Sequence, residues 1–306
     1  MATTTATRIG FVGLGHMGGN MAVRFLNAGY EVYGIERNRE RMQPSPDDRV
    51  RWCPTARQVA EAADVVFTSV PDDGVLEAVA AGPDGILAGL TVGKIWTDVS
   101  TVSPRASREL AQRVHALGAA MLDAPVSGSV PQVQAGTLTI MVGGDEKAYQ
   151  RVEPILRELG TPTRIGDNGQ GLVLKLAINI SLAVQMLAFA EGLLLAARAG
   201  VDPSLAAAVM TQSPIGSPML KARAPLVLDL PEEAWFDVAL MQKDLQLALE
   251  AARDLKVPVP STAVADDLLS TARELGYGHR DIAVLFRVLS ELVGAPTSPA
   301  SGLATR

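Results

Sequence analysis

Arg8-Ile9-Gly10-Phe11-Val12-Gly13-Leu14-Gly15-His16-Met17-Gly18 decides the fold. An apolar run predicts a strand from Arg8 to Leu14. The spacing Gly-x-Gly-x-x-Gly follows, and an apolar-periodic segment then opens a helix. Placed between a first strand and a first helix, the three glycines have separate tasks. Gly13 permits the tight turn, Gly15 lets the backbone approach a pyrophosphate, and Gly18 lets the helix pack against the strand. The amides that open the helix face the anion, so Gly13, Leu14, Gly15, His16, Met17 and Gly18 are read as cofactor-binding. At the end of the second predicted strand, Glu31 to Glu36, an acid is expected to accept hydrogen bonds from the adenosine ribose hydroxyls, and Glu36 stands there. That favours NAD. Arg37 and Arg39 follow and could neutralise a 2′-phosphate, so NADP is not excluded; a solvated loop face is the commoner role for such arginines.

Outward from this loop, short Val/Ile-rich runs alternate with amphipathic segments. Further strands are predicted at Asp64 to Val70, Lys94 to Val99, Ala119 to Ala124, Leu138 to Val142 and Thr163 to Ile165. After Gln170 the pattern turns helical: Leu172 to Ala199, Pro203 to Thr211, Phe236 to Leu255, Ala263 to Leu275 and Ile282 to Leu292. The turn residues Gly166 to Gly171 mark the change. The expected architecture is therefore α/β: an N-terminal Rossmann dinucleotide-binding domain over 1–168, then an all-α substrate and oligomerisation domain over 169–306. The long helix, about 40 Å at 1.5 Å per residue, is expected to run between domains or into a dimer interface. The Pro/Ser-rich tail from Gly294 is expected to fray.

With 306 residues, the chain has length for about two domains. Lys+Arg 27 against Asp+Glu 33 gives a net charge of -6, which argues against a nucleic-acid protein, since duplex binding neutralises phosphates with clustered cations. One cysteine, Cys53, forms no internal disulfide and suits a reducing compartment. Without a signal-like N-terminus, a cytoplasmic location is expected. The apolar stretch Leu172 to Ala197 carries Lys175, Asn179, Gln185 and Glu191, so it reads as a buried helix rather than a membrane span. His16, His115 and His279 lack zinc-ligand spacing, so no metal is expected. Asp47-Asp48 and Asp72-Asp73 read as solvated loop charges.

Lys175 and Asn179 lie four residues apart on a predicted helix and share a face. A lysine set among Leu172, Val173, Leu174, Leu176, Ala177 and Ile178 loses hydration, which lowers an ammonium pKa toward the range of proton exchange. A snorkelling surface lysine is the commoner fate of that residue type. Ser127 and Gly128 sit in a predicted loop where a hydroxyl and backbone amides can converge on a carboxylate. Val70-Pro71 and Asp98-Val99-Ser100-Thr101 close two other predicted strands, where ligands meet an open α/β sheet.

These motifs together resemble the β-hydroxyacid dehydrogenases, the family of 3-hydroxyisobutyrate dehydrogenase, tartronate semialdehyde reductase and 6-phosphogluconate dehydrogenase. The likeness is carried by Gly13 to Gly18 with Met21-Ala22, and by Asp123-Ala124-Pro125-Val126-Ser127-Gly128 with Ala135-Gly136-Thr137-Leu138 and Met141-Val142-Gly143-Gly144. Gly169-Gln170-Gly171 with Lys175 and Asn179, and Phe236 with Lys243-Asp244, complete it. The resemblance implies hydride transfer between NAD(P) and a small β-hydroxy acid or its semialdehyde. It implies Lys175 for proton exchange, Asn179 to orient the substrate hydroxyl, and Ser127-Gly128-Ser129 for the substrate carboxylate. Val70, Pro71, Thr101 and Lys243 are then expected along the cofactor, with Asp244 either fixing the interdomain geometry or orienting neighbouring polar groups. The family often has Gly-Gly after this serine; here Gly128-Ser129-Val130-Pro131 stands instead, which alters the pocket wall, although the Ser129 amide is expected still to donate. An imine or aldehyde reductase on the same fold is the alternative, though imine reductases commonly replace the lysine; a noncatalytic dinucleotide-binding protein is a third reading. The Leu/Ala-rich helical half predicts a homodimer or homotetramer.

Overall fold

The structure is a computed structural model and describes residues 7–37 and 48–294. Arg39, Asp47 and the tail beyond Gly294 lie outside the described residues. The chain forms two compact units that divide after Lys175.

The first unit follows the order β1 (Arg8–Val12), α1 (His16–Asn27), β2 (Glu31–Ile35), β3 (Arg51–Trp52), α2 (Ala56–Ala62), β4 (Val65–Thr68), α3 (Asp73–Ala80) and α4 (Ile86–Gly89). It continues with β5 (Ile95–Asp98), α5 (Pro104–Ala116), β6 (Ala120–Asp123), β7 (Val126–Ser127), α6 (Val130–Ala135), β8 (Leu138–Gly144), α7 (Glu146–Leu156) and β9 (Gly160–Gly166). The sheet order is β3-β2-β1-β4-β5-β6-β8-β7, with β9 on β8. Strands β1 to β6 pair in parallel, with the order reversing between β1 and β4. Alternation along each strand feeds two cores. Ile9, Phe11, Val65, Phe67 and Ile95 pack with Met21, Phe25 and Val152 on one face. Val12, Val66 and Trp96 pack with Val59, Leu76, Ile86 and Leu110 on the other. A sheet covered on both faces explains why its strands read as continuous apolar runs.

Beyond β6 the sheet departs from the expected parallel pattern: β8 runs antiparallel to both β6 and β7. Strand β7 pairs back onto β8 as an antiparallel neighbour, so the segment between β6 and β8 returns along the sheet instead of crossing over it. Strand β7 and helix α6 were not expected from sequence, and Ser127 closes a short strand rather than sitting in an open loop. Helix α6 explains the unusual Ser129-Val130-Pro131. Ser129 is its N-cap in a reciprocal capping box with Gln132, and proline occupies the first turn, where a missing N–H is tolerated.

Registers align the carboxyl ends of the parallel strands in one row: Ile35, Val12, Thr68, Asp98 and Asp123. Three polar side chains thus stand side by side at the edge where ligands meet such sheets.

Helix α8 (Gln170–Arg198) runs from the first unit into the second, which adds α9 (Pro203–Gln212), α10 (Pro218–Leu228), α11 (Val238–Asp254), α12 (Pro260–Glu274), a 3-10 turn (Ile282–Val284) and α13 (Leu285–Leu292). Helix α10 falls between the expected helices that end at Thr211 and begin at Phe236, in a stretch that carries Gly216, Pro218 and Pro225. Pro218 starts the helix behind the Ser217 cap. The unit's core joins Met186, Phe189, Leu193, Met241, Leu245, Leu269 and Phe286. Within it lies a buried ion pair, Arg223 Nη1 to Asp281 Oδ1 at 2.8 Å. Asp281 also accepts the amides of Trp235, Phe236 and Ala283. Those donors make burial of the carboxylate tolerable, where an unpaired charge would be strongly destabilising, and they fix the segment that leads into α11.

Candidate active site

The glycine loop has the build expected of a pyrophosphate cradle. Gly13 has φ +91°, a region that disfavours other side chains, and a Cβ there would overlap the Ser69 carbonyl oxygen at the end of β4. A Cβ on Gly18 would overlap the Gly13 carbonyl and crowd the Phe11 ring, so Gly18 serves helix packing. At Gly15 a Cβ would meet nothing within 4 Å, which leaves open space directly over the loop. Helix α1 starts there with no acid in its first turn, so its amide dipoles present uncompensated positive potential to an anion. Glu36 Oε2 accepts the Leu14 N–H at 2.7 Å, which pins the acid beside the loop. His16 is exposed at the first helical position. The Leu14 side chain is wholly buried and Met17 packs on the same core, so in Leu14 only the backbone is left to shape the loop. The residues fit a dinucleotide: open space above Gly15, an uncapped helix start and an oriented acid at the end of β2.

Val70, Pro71 and Thr101 follow β4 and β5 on the same edge. Asp72 is exposed, as expected, and caps α3 through the Val75 amide, whereas Asp73 is half-buried and its Oδ1 accepts the Ser103 amide at 2.8 Å.

The segment that carries Ser127 and the start of α8 meet at Asp123, a motif residue with no role expected from sequence. It is fully buried. Its Oδ1 accepts the Gly169 N–H at 2.7 Å and its Oδ2 the Leu172 N–H at 3.0 Å, so a carboxylate caps the helix. Burial pushes the Asp123 carboxyl upward while these amides pull it back. Space for the carboxylate exists only because Gly143 and Gly171 lack side chains: a Cβ would stand 2.6 and 2.9 Å from it. Four residues after Asp123 comes Ser127, and one turn beyond Leu172 comes Lys175, which is 9% exposed. One carboxylate therefore sets the relative placement of the Ser127 strand and the Lys175 helix. The sequence signal for it was an acid closing an apolar strand.

Gly128 has φ +131°, a conformation that only glycine adopts readily, and a Cβ there would press on Leu138 and Gln132. The expectation that the Ser129 amide donates to substrate is corrected. That N–H donates to Gln132 Oε1 at 2.9 Å, because the capping box takes it.

In the second unit, Asn179 is fully buried and its Nδ2 donates to Asp244 Oδ2 at 2.6 Å. A carboxylate only accepts, so the contact fixes which way the Asn179 amide faces. Lys243 Nζ lies 2.9 Å from Asp244 Oδ1, an ion contact. Asn179, Lys243 and Asp244 thus form one cluster, and the expectation that Asp244 orients its polar neighbours holds for Asn179.

Comparison with known proteins bears on the same residues. Residues 8–169 match the family model described as the NAD binding domain of 6-phosphogluconate dehydrogenase. Residues 169–289 match that described as the NAD-binding domain of NADP-dependent 3-hydroxyisobutyrate dehydrogenase. The chain belongs to the β-hydroxyacid dehydrogenase family. The 2-hydroxy-3-oxopropionate reductase of Escherichia coli is 36% identical over 92% of this chain and 97% of its own length. The 2-(hydroxymethyl)glutarate dehydrogenase of Eubacterium barkeri is 33% identical over 95% and 97%. A crystal structure of 3-hydroxyisobutyrate dehydrogenase from Salmonella typhimurium superposes with a TM-score of 0.83 at 29% identity, covering 92% of this chain and 99% of that one. The expected α/β architecture, a Rossmann domain followed by helices, is that of this family.

Proposed function

We propose that Ser127 and Gly128 anchor the carboxylate of a small β-hydroxy acid, and that Lys175 Nζ exchanges the proton of its hydroxyl. The chain is an NAD(P)-dependent oxidoreductase of hydroxy acids and their semialdehydes. The observation that carries the residue roles is the buried Lys175, one helical turn before Asn179 on a helix capped by Asp123. The Gly13 to Gly18 loop, Glu36, Val70, Pro71 and Thr101 would hold the dinucleotide, with Lys243 beside it. Bound nicotinamide supplies or takes the hydride.

In oxidation, Lys175 Nζ accepts the hydroxyl proton as the carbon gives up its hydride; in reduction it returns that proton to the carbonyl oxygen. Asn179, held by Asp244, orients the reacting oxygen, and Ser127 Oγ with the Gly128 amide fixes the acid end. The retained Lys175 disfavours the imine-reductase reading. Because Gln132 occupies the Ser129 amide, the acid end is bound with fewer backbone donors than a Gly-Gly sequence would offer. The substrate therefore need not be that of the best-known relatives.

The test is an absorbance screen at the reduced-nicotinamide band. NAD and NADP are each paired with 3-hydroxyisobutyrate, glycerate, 3-hydroxypropionate, threonate, serine and 4-hydroxybutyrate. Turnover is expected with at least one acid, with NAD preferred. Glu36→Ala is expected to shift the NAD/NADP ratio toward NADP by about tenfold, since the carboxylate both accepts from a ribose diol and repels a 2′-phosphate. An unchanged ratio would remove Glu36 from cofactor choice.

We propose, further, a homodimer or homotetramer in the cytoplasm. Helix α8 is apolar nearly all round, yet only 39% of its most apolar window is buried in one chain. Leu174 and Leu195 on α8, with Leu205 and Val209 on α9, stand exposed, and a second copy would cover such a face. Sedimentation at micromolar concentration should give a dimer or tetramer; a monomer would end this assignment.

A further inference from the structure

The reaction as read above leaves one buried carboxylate unused. Asp98 ends β5 and is fully buried. Its Oδ1 gathers three donors: Thr68 Oγ1 at 2.6 Å, Ser100 Oγ at 2.6 Å and the Ser100 amide at 3.2 Å. Each hydroxyl oxygen also accepts a hydrogen bond. Trp96 Nε1 donates to Thr68 Oγ1 at 2.9 Å, and the Val70 amide donates to Ser100 Oγ at 2.9 Å. Since a hydroxyl has one proton to give, and both give it to Asp98, every hydrogen in the relay has a fixed direction. The relay joins the segment after β4, through Val70, to the segment after β5, through Ser100. The same two segments also meet where the Ser103 amide donates to Asp73 and the Val99 amide to the Thr68 carbonyl; the relay is the contact that ties Val70 to Ser100.

We propose that Asp98 is a positioning residue for cofactor binding: through Ser100 it locks the Val70–Pro71 and Ser100–Thr101 segments in one arrangement. The proposal rests on the reading that Val70, Pro71 and Thr101 line the cofactor site. Loops at a strand edge are ordinarily the mobile parts of a sheet. Loops tied to a buried anion need not be ordered again when ligand binds, so the entropic cost of binding falls.

The choice of a carboxylate has a measurable consequence. Among the described residues Asp98 Oδ2 has no hydrogen-bond partner. Burial raises the group from 3.8 to about 6, against the pull of Ser100 and Thr68. The charged group facing it is Asp123, its register neighbour on β6, which adds a smaller part of that rise. From β4 it faces Thr68. Asp73, at the start of α3, reaches the same loop at Ser103. Below about pH 6 the proton resides on Oδ2 and leaves Oδ1 a neutral carbonyl oxygen, a weaker acceptor than a carboxylate. The lock is therefore at full strength above that pH and loosens as pH falls through it. The folded pKa lies above the unfolded one, so the ionised Asp98 detracts from stability at neutral pH, and that cost disappears toward pH 4. Looser cofactor binding at low pH would thus occur without loss of fold.

The test measures the dissociation constant of the cofactor selected by the absorbance screen, by titration calorimetry on the full chain. Ser100→Ala cuts the link to Val70 and is expected to weaken binding about tenfold. The wild type is expected to bind several-fold more weakly at pH 5 than at pH 7.5, whereas Asp98→Asn, which keeps the Oδ1 acceptor but cannot titrate, is expected to show a flat profile. A purely structural role would move the unfolding temperature and leave both binding results unchanged. Val70→Trp, which blocks the loop itself, separates the two levels of the argument. If Val70→Trp weakens binding while Ser100→Ala does not, the positioning role of Asp98 is wrong and the lining reading stands. If Val70→Trp binds as the wild type does, the loop does not line the site and the proposal falls with that reading. Coincident pH profiles for wild type and Asp98→Asn would also overturn it.

Discussion

Lys175→Ala is expected to lower kcat by about a thousandfold and to leave the cofactor dissociation constant within about twofold. General acid–base groups contribute roughly 10²–10⁴, and Lys175 is the group that the proposed reaction gives no substitute for. Alanine continues a helix as well as lysine does, and Asp123 still caps α8, so the fold has no reason to fail. Stopped-flow and steady-state rates, with calorimetry for cofactor, check the split. Added small primary amines should restore part of the rate, because the missing function is a proton carrier. Undiminished kcat would remove Lys175 from proton transfer.

Asp123→Asn is expected to cost both stability and turnover. The asparagine keeps one acceptor, but its amide group must face the Gly169 or the Leu172 N–H. Two donors then oppose each other in a site with no solvent. An unsatisfied buried donor costs roughly 1–3 kcal/mol, and more when the lost partner was charged. Asp123 is fully buried against the backbone of Gly143 and Gly171, so the asparagine amide has no solvent to turn toward. The start of α8 should shift, taking Lys175 out of line with Ser127; a displacement near 1 Å is enough to lower kcat by about a hundredfold. Thermal unfolding and kcat should fall together, while cofactor binding at the Gly13 to Gly18 loop changes little. Wild-type kcat in Asp123→Asn would show that the α8 cap does not position Lys175.

Much of the fold was legible because buried parallel strands and glycine-dependent turns leave local marks. The strand Arg8–Val12, the helix after it and the acid at the end of β2 all stand where the spacing put them. The helix α10 was hidden by its prolines, which read as loop until Ser217 is seen to cap a helix that Pro218 begins. The capping box of α6 was equally local, with Gln132 three residues after Ser129, yet the resemblance to a Gly-Gly loop directed attention to the amide rather than to the side chain that fills it.

The α/β class, the dinucleotide loop and the candidate pair Lys175 and Asn179 are legible in the sequence because each depends on residues within a few positions of one another, and the family because several such local motifs recur along the chain. Only the tertiary structure decided what holds them. Asp123 reaches Leu172 across 49 positions, Asn179 reaches Asp244 across 65, and Asp98 joins two loops through Ser100. Such contacts follow from strand order and register, which bring distant carboxylates into one row, and no local pattern encodes which donors a buried oxygen will meet.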